Sequence, residues 1–330
     1  MIAITGATGL IGSHIALALI QRGEHLRLLK RPQADTRALD QLLRFHKLNS
    51  ESVEWVSADI NDPISLRAAF HDCKRVYHCA AMVSFDPSET ARVFETNITG
   101  TQNVVDQCLE LGIPLSYVSS TAAIGDQKIN DSFTEESPWT SDRGRSSYSL
   151  SKRYAELEVN RGIQEGLEAV IVNPGVVIGP GNWGQSSTTI FLSGKKGMRF
   201  YPTGSNGFVD VRDVAEITIA LSSREYIVSG QHLLVGEHAS FKDLFGKIAQ
   251  EFGSARPVWK VPASPMRFLA GSLSFLENWS ISPFSITSEN LKSAYRQSHY
   301  SNEKVRSLGF TFRTLEEAIR YTAAVYRTVN

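Results

Sequence analysis

Residues 1–12 read Met1-Ile2-Ala3-Ile4-Thr5-Gly6-Ala7-Thr8-Gly9-Leu10-Ile11-Gly12, residues 13–21 are helix formers, and Gly23 follows as a helix stop. The apolar run over residues 2–4 makes the chain open on a strand. Gly6, Gly9 and Gly12 then stand three apart. A strand, a glycine-rich turn and a helix N-terminus together cradle a phosphate. The first glycine allows the tight turn, the second lets a pyrophosphate approach the backbone, and the third lets helix and strand pack closely. The uncapped N–H groups and the helix dipole face the anion. A glycine triplet alone is weak evidence; between a strand and a helix it marks a dinucleotide site. Gly6, Thr8, Gly9, Leu10 and Ile11 are the expected contacts.

Composition sets the outer limits. The 330 residues are 42% hydrophobic and 21% charged, which suits a globular enzyme of one large domain or two. Lys plus Arg number 34, as do Asp plus Glu, so no overall charge draws the chain to nucleic acid or to an anionic membrane. Cys73, Cys79 and Cys108 form no metal-type spacing and no disulfide framework, so no metal is expected and a reducing cytoplasm is. The N-terminus lacks the basic flank of a signal peptide, and no stretch reaches the ~20 apolar residues of a membrane span.

Further along, strands and helices alternate. Residues 25–29 read as a second strand running into Lys30-Arg31-Pro32. Two cations at that strand end suit a 2′-phosphate, so NADP(H) is favoured and NAD(H) is the alternative; Asp35 is the weaker candidate for a ribose ligand. Strands are expected at 53–56, 75–79, 115–118 and 169–172, with helices at 63–70, 89–111 and from Tyr148 to about 164. Asp62 and Pro63 cap the first of these helices. Asn97 and Gly100 are poor residues for the middle of the second. His78 reads as a strand-end core histidine. This order implies an α/β fold of the Rossmann type, a doubly wound parallel sheet covered on both faces. After Asn173 the glycines and prolines multiply, and the segment reads as loops and short elements around a pocket, its loop-rich part being residues 176–207. A strand at 233–235 and an amphipathic helix at 241–252 follow. The apolar stripe from Phe268 to Trp279 suits a core or a subunit contact, and otherwise an apolar pocket wall or a contact with a membrane surface. Domains are expected at 1–172 plus about 208–235 for the cofactor, and at about 173–207 plus 236–330 for the substrate.

Tyr148 and Lys152 lie four apart on one helix face. A phenol near ~10 is a poor acid or base at neutral pH, and an adjacent ammonium is expected to lower its pKa. The tyrosine can then move a hydroxyl proton while a nicotinamide moves hydride. Ser120, at the end of the 115–118 strand, can hold the substrate oxygen.

With these residues in place, the chain resembles an extended short-chain dehydrogenase/reductase of the NAD-dependent epimerase/dehydratase family. The resemblance rests on residues 5–12, Asp59-Ile60, Cys79-Ala80-Ala81, Asn97, Ser119-Ser120, Tyr148 with Lys152, residues 173–181 and residues 208–215. It implies that Asp59 and Ile60 bracket the adenine and that Ala80 and Ala81 line the cofactor. It also implies that Asn97 holds a proton-relay water, that Tyr148 is the acid/base, and that Lys152 also binds the nicotinamide ribose. Pro174 to Val177 would flank the nicotinamide, and Asn173 would lie at the substrate. Counting back from Gly125 makes Ser120 the catalytic hydroxyl, with Thr121 as the alternative.

Departures sort the subfamilies. Ala122-Ala123 stands where dehydratases carry an Asp-Glu pair, and Asn206-Gly207 where epimerases often carry a pyrophosphate-gripping Arg. Lys30-Arg31 and Asn173-Pro174 instead resemble the dihydroflavonol-4-reductase and 3β-hydroxysteroid dehydrogenase-like branch. The expected activity is therefore NADP(H)-dependent interconversion of a ketone or aldehyde and an alcohol on a free small molecule. The rivals are a sugar-nucleotide 4-epimerase with retained NAD and a non-catalytic dinucleotide sensor. The resemblance also implies a homodimer packed through the helices of Asn97 and Tyr148.

Overall fold

The computed structural model describes residues 1–126, 129, 131–185, 187–223, 230–262 and 294–329; the stripe from Phe268 to Trp279 lies outside them. Along the chain, β1 (Ile2–Thr5) passes through the glycine turn into α1 (Leu10–Ile20), β2 (Leu26–Lys30), α2 (Arg37–His46), β3 (Val53–Ser57), α3 (Pro63–Phe70) and β4 (Val76–His78). Then come α4 (Thr90–Phe94), a π turn (Glu95–Thr99), α5 (Gly100–Leu111), β5 (Leu115–Val118), α6 (Ser147–Gln164) and β6 (Ala169–Pro174).

The stretch expected as loops and short elements holds β7 (Val176–Ile178), α7 (Thr188–Lys195), β8 (Phe200–Pro202) and the start of β9 (Ser205–Asp210). The chain continues through α8 (Val211–Leu221), β10 (Gly230–Leu234), β11 (Glu237–Ser240), α9 (Phe241–Phe252), β12 (Trp259–Val261), α10 (Glu303–Ser307) and α11 (Leu315–Val329).

Seven strands form one parallel sheet in the order β10-β6-β5-β4-β1-β2-β3. The order reverses between β1 and β4, and ligands of open α/β sheets bind at the carboxyl ends of strands flanking such a point. Both faces are covered, so the strands are apolar on both sides. On β1, Ile2 and Ile4 join one hydrophobic cluster and Ala3 the other. A smaller sheet, β11-β9-β7, stands beyond the carboxyl ends.

Sequence signals account for the boundaries. Asp62 caps α3 by accepting from the Ile64 amide at 3.1 Å, with Pro63 in the first turn. The helix of residues 89–111 is not uniform. Its poor helix formers fall in the π turn, where Asn97 is buried, and Gly100 follows because a Cβ there would meet Ile60 Cδ1 at 2.6 Å.

α11 closes the structure over the N-terminal layer. Tyr321 packs edge-on against His14 and Phe45, and its hydroxyl lies 3.2 Å from His46 Nε2. Arg313, just before α11, pairs with Asp213 and Glu216 of α8.

Burial holds His14 and His78 neutral, lowering their pKa values to about 4 and about 3. Their folded values lie below the unfolded value of 6.5, so the unfolded chain takes up protons first as pH falls. Stability present above pH 6.5 is therefore lost on the way down to pH 4, by about 3 kcal/mol for each histidine. Thermal melts across that window should show a steep fall in midpoint. A flat profile would mean that the two rings are charged in the folded protein.

Candidate active site

The glycine turn is as tight as the spacing implied. Gly6 has φ +67°, and a Cβ there would lie 2.5 Å from the Ala80 amide nitrogen, so the turn presses on the end of β4. A Cβ on Gly12 would lie 2.3 Å from the Gly6 carbonyl, which forces close packing of α1 on β1. Gly9 heads α1 with no side-chain cap, so the first amides of the helix remain for an anion. The turn is pinned from a distance, because Asn182 donates to the Thr8 carbonyl at 2.9 Å. The cradle fits a dinucleotide pyrophosphate.

The other residues expected at the cofactor collect around the same edge. Ala80 and Ala81 continue β4 beside Gly6. Asp59 and Ile60 follow β3; Asp59 is exposed and Ile60 is buried against Gly100. Lys30 ends β2 over the Trp55 ring, at 5.7 Å, with Arg31 exposed beside it. Asp35 is drawn into a two-point pair with Arg37, at 2.8 and 2.6 Å. Pro174 and Val177 are buried at the end of β6 and in β7, and Val177 belongs to the hydrophobic cluster under the turn.

A hydrogen-bond chain joins the turn to the π turn. Thr5 Oγ1 accepts from the Ala80 amide at 3.2 Å and lies 2.6 Å from His78 Nδ1. His78 Nε2 lies 3.0 Å from Thr101 Oγ1, which donates to the Asn97 carbonyl at 2.6 Å. Thr101 has one proton and spends it on Asn97, so His78 donates from Nε2 and accepts at Nδ1. The Asn97 side chain accepts from the Met82 amide at 2.7 Å and donates to the Met82 carbonyl and to Ser151 Oγ, both at 2.9 Å. It ties the segment after β4 to α6.

Tyr148 and Lys152 stand on the first turns of α6, whose start is fixed by the Ser146 cap on the Ser149 amide at 2.9 Å. Ser120 accepts from the Ala122 amide at 3.1 Å and lies within hydrogen-bonding reach of the Tyr148 phenol. Phe85 packs edge-on over Tyr148, with ring centroids 5.8 Å apart.

Lys152 is buried. Its ammonium donates to the Val118 carbonyl at 2.9 Å and lies 4.6 Å from the centre of the Tyr117 ring. Burial lowers its pKa to about 8, opposed by the Glu156 carboxylate. The expectation that Lys152 makes Tyr148 acidic is corrected here. Burial dominates at Tyr148 and raises its pKa, with only the Ser120 hydrogen bond opposing, so the phenol holds its proton at neutral pH.

Glu156 was not anticipated. It lies one turn beyond Lys152, is fully buried, and accepts hydrogen bonds from Asn173 and Gln231. Asn173 also donates to the Ser120 carbonyl at 3.1 Å. Burial raises the Glu156 pKa, against its hydrogen bonds and the nearby Arg153 and Lys152. One carboxylate thus ties the end of β6 and the start of β10 to the helix carrying Tyr148 and Lys152.

This arrangement belongs to the dinucleotide-binding enzymes of the extended short-chain dehydrogenase/reductase type. The chain is a member of the NAD dependent epimerase/dehydratase family, whose model matches residues 2–236. It is 30% identical over 272 residues to sterol demethylase protein B of Methylococcus capsulatus, covering 81% of this chain and 79% of that one. It is also 30% identical over 249 residues to cinnamoyl-CoA reductase 1 of Oryza sativa subsp. japonica, covering 72% of this chain and 71% of the relative. The crystal structure of gox2253 superposes with a TM-score of 0.83 at 30% identity, covering 100% of this chain and 98% of that one.

Proposed function

We propose that the protein is an NADP(H)-dependent oxidoreductase that interconverts a free, apolar ketone or aldehyde with its alcohol. The pairing of Ser120 with Tyr148, and the buried Lys152 one turn on at the edge of the sheet that also carries the glycine turn, carry this reading. In it, Gly6, Thr8, Gly9, Leu10 and Ile11 hold the pyrophosphate, Lys30 and Arg31 hold the 2′-phosphate, and Asp59 with Ile60 flanks the adenine. Ala80, Ala81, Pro174 and Val177 line the groove. The nicotinamide, when bound, supplies or accepts hydride.

Ser120 spends a lone pair on the Ala122 amide, which leaves its proton for the substrate oxygen. The Tyr148 phenol, kept protonated by burial, gives its proton to that oxygen as alkoxide character develops, which suits carbonyl reduction. In this reading the buried Lys152 ammonium, anchored on the Val118 carbonyl, holds the nicotinamide ribose. The relatives named for sterol demethylation and for a reductase support an apolar carbonyl or alcohol as substrate. Residues 1–172 with about 208–235 form the cofactor domain in this reading, and the remainder forms the substrate lobe.

Denaturing desalted protein and identifying the released dinucleotide tests the proposal. Little bound cofactor, with tighter rebinding of NADPH than NADH, is the expected result. Near-stoichiometric NAD would replace it with the epimerase reading.

A further inference from the structure

Far along the chain from the catalytic residues, β8 and β12 pair in parallel, with Trp259 opposite Phe200, Lys260 opposite Tyr201 and Val261 opposite Pro202. Directly paired residues share a face of the ribbon. Trp259 and Phe200 therefore stand side by side, 61% and 59% exposed, and the neighbouring Val258 is 68% exposed. Single exposed apolar residues are ordinary, but a contiguous group marks a surface that something covers.

The surroundings are cationic. Lys196 and Arg199 are exposed on the approach to the ribbon, and Lys260 is exposed on its other face. Beside it, along α9, an open groove of about 300 Å³ is lined by Lys242, Lys247 and Arg256, with Asp243 as its one carboxylate. Asp243 is engaged by the Ser240 hydroxyl at 2.6 Å. Residues 188–209 and 253–262 contain no Asp or Glu. A chain of zero net charge has gathered its cations around three exposed apolar side chains.

The chemistry selects among occupants. A second copy related by a two-fold axis would set this patch against itself, cation facing cation. A polynucleotide would take the charge and stack on the rings, but gains nothing from Val258. An anionic bilayer surface uses both parts. Its phosphates take the ammonium and guanidinium groups, and its headgroup boundary takes tryptophan and phenylalanine. No described helix is long and apolar enough to cross a membrane, so the attachment is to the surface.

We propose that the β8–β12 ribbon, with the basic groove beside it, is a docking face for anionic phospholipid membranes. This stands independently of the proposed reaction.

The test is co-sedimentation of the full chain with phosphatidylcholine vesicles, with and without phosphatidylglycerol, at low and high salt. The protein should pellet with the anionic vesicles only, and release as salt rises. Lys196→Gln with Arg199→Gln should weaken binding about 25-fold, from about fivefold per cation. Phe200→Ser with Trp259→Ser should weaken it by about tenfold or more at unchanged charge. These side chains are exposed, so an unchanged melting midpoint in each variant shows that the fold is kept. No sedimentation of the wild-type protein overturns the proposal. So does vesicle binding that survives both double variants, or tighter binding to a single-stranded oligonucleotide than to anionic vesicles.

Discussion

Tyr148→Phe should lower the turnover of a carbonyl substrate about a thousandfold, while NADPH binding and the melting midpoint stay close to wild type. The substitution deletes one oxygen from a side chain whose ring rests against Phe85, so packing survives. In the proposed mechanism it removes the group that gives a proton to the oxygen held by Ser120, and such general acid catalysis contributes ~10² to 10⁴ in rate. Single-turnover measurements with pre-bound NADPH isolate this step from product release. A variant that keeps more than about a tenth of the wild-type rate would show that the proton comes from elsewhere, and the assignment of Tyr148 would fall.

Glu156→Gln should cost about 2 kcal/mol of stability and move the alkaline limb of activity to lower pH. Asn173 and Gln231 both point amide donors at this carboxylate, and a glutamine would answer one of them with a third donor. A buried donor left without an acceptor costs about 1–3 kcal/mol. The pH effect comes through Lys152. Its ammonium is the charged form, present below a pKa of about 8 and lost above it. The wild-type rate should therefore fall as pH rises through about 8. The Glu156 carboxylate favours that ammonium, so removing its charge lowers the pKa further and brings the fall earlier. Glu156→Asp, which restores the charge, should recover part of the limb. An unmoved limb in Glu156→Gln would leave Glu156 with a packing role alone.

What could be seen in the sequence follows from how local the causes are. Gly12 is legible because it answers a steric demand set within its own strand–turn–helix unit, and Gly6 because the turn itself needs a positive φ, although the atoms a Cβ there would strike belong to Cys79 and Ala80. Tyr148 and Lys152 are legible because helix geometry places residues four apart on one face. Asn97 and Gly100 announced a disturbed helix, but their spacing could not say that the disturbance is a π turn, or that Gly100 serves Ile60 of another segment.

Glu156 was illegible for a related reason. A glutamate on a helix rich in charges looks like a solvated residue. Its burial is set by partners 17 and 75 positions further on. The expected acidification of Tyr148 failed on the same ground, since spacing brings Lys152 near but only the packed interior tells how much burial opposes it. Composition misled about the basic ribbon. A net charge of zero averages over the whole surface, and the pairing of Phe200 with Trp259 joins residues 59 apart.

The seat of Tyr321 against α1 and α2 has a bearing on how the protein is made. His14, Phe45 and His46 leave the ribosome early, yet the ring that covers them is encoded 275 residues after His46. Through most of synthesis that outer face of α1 and α2 stays uncovered, a sticky intermediate of the kind that chaperones attend. Nucleotide affinity should accordingly appear late on the assembly line, when α11 swings home, rather than when the glycine turn first emerges.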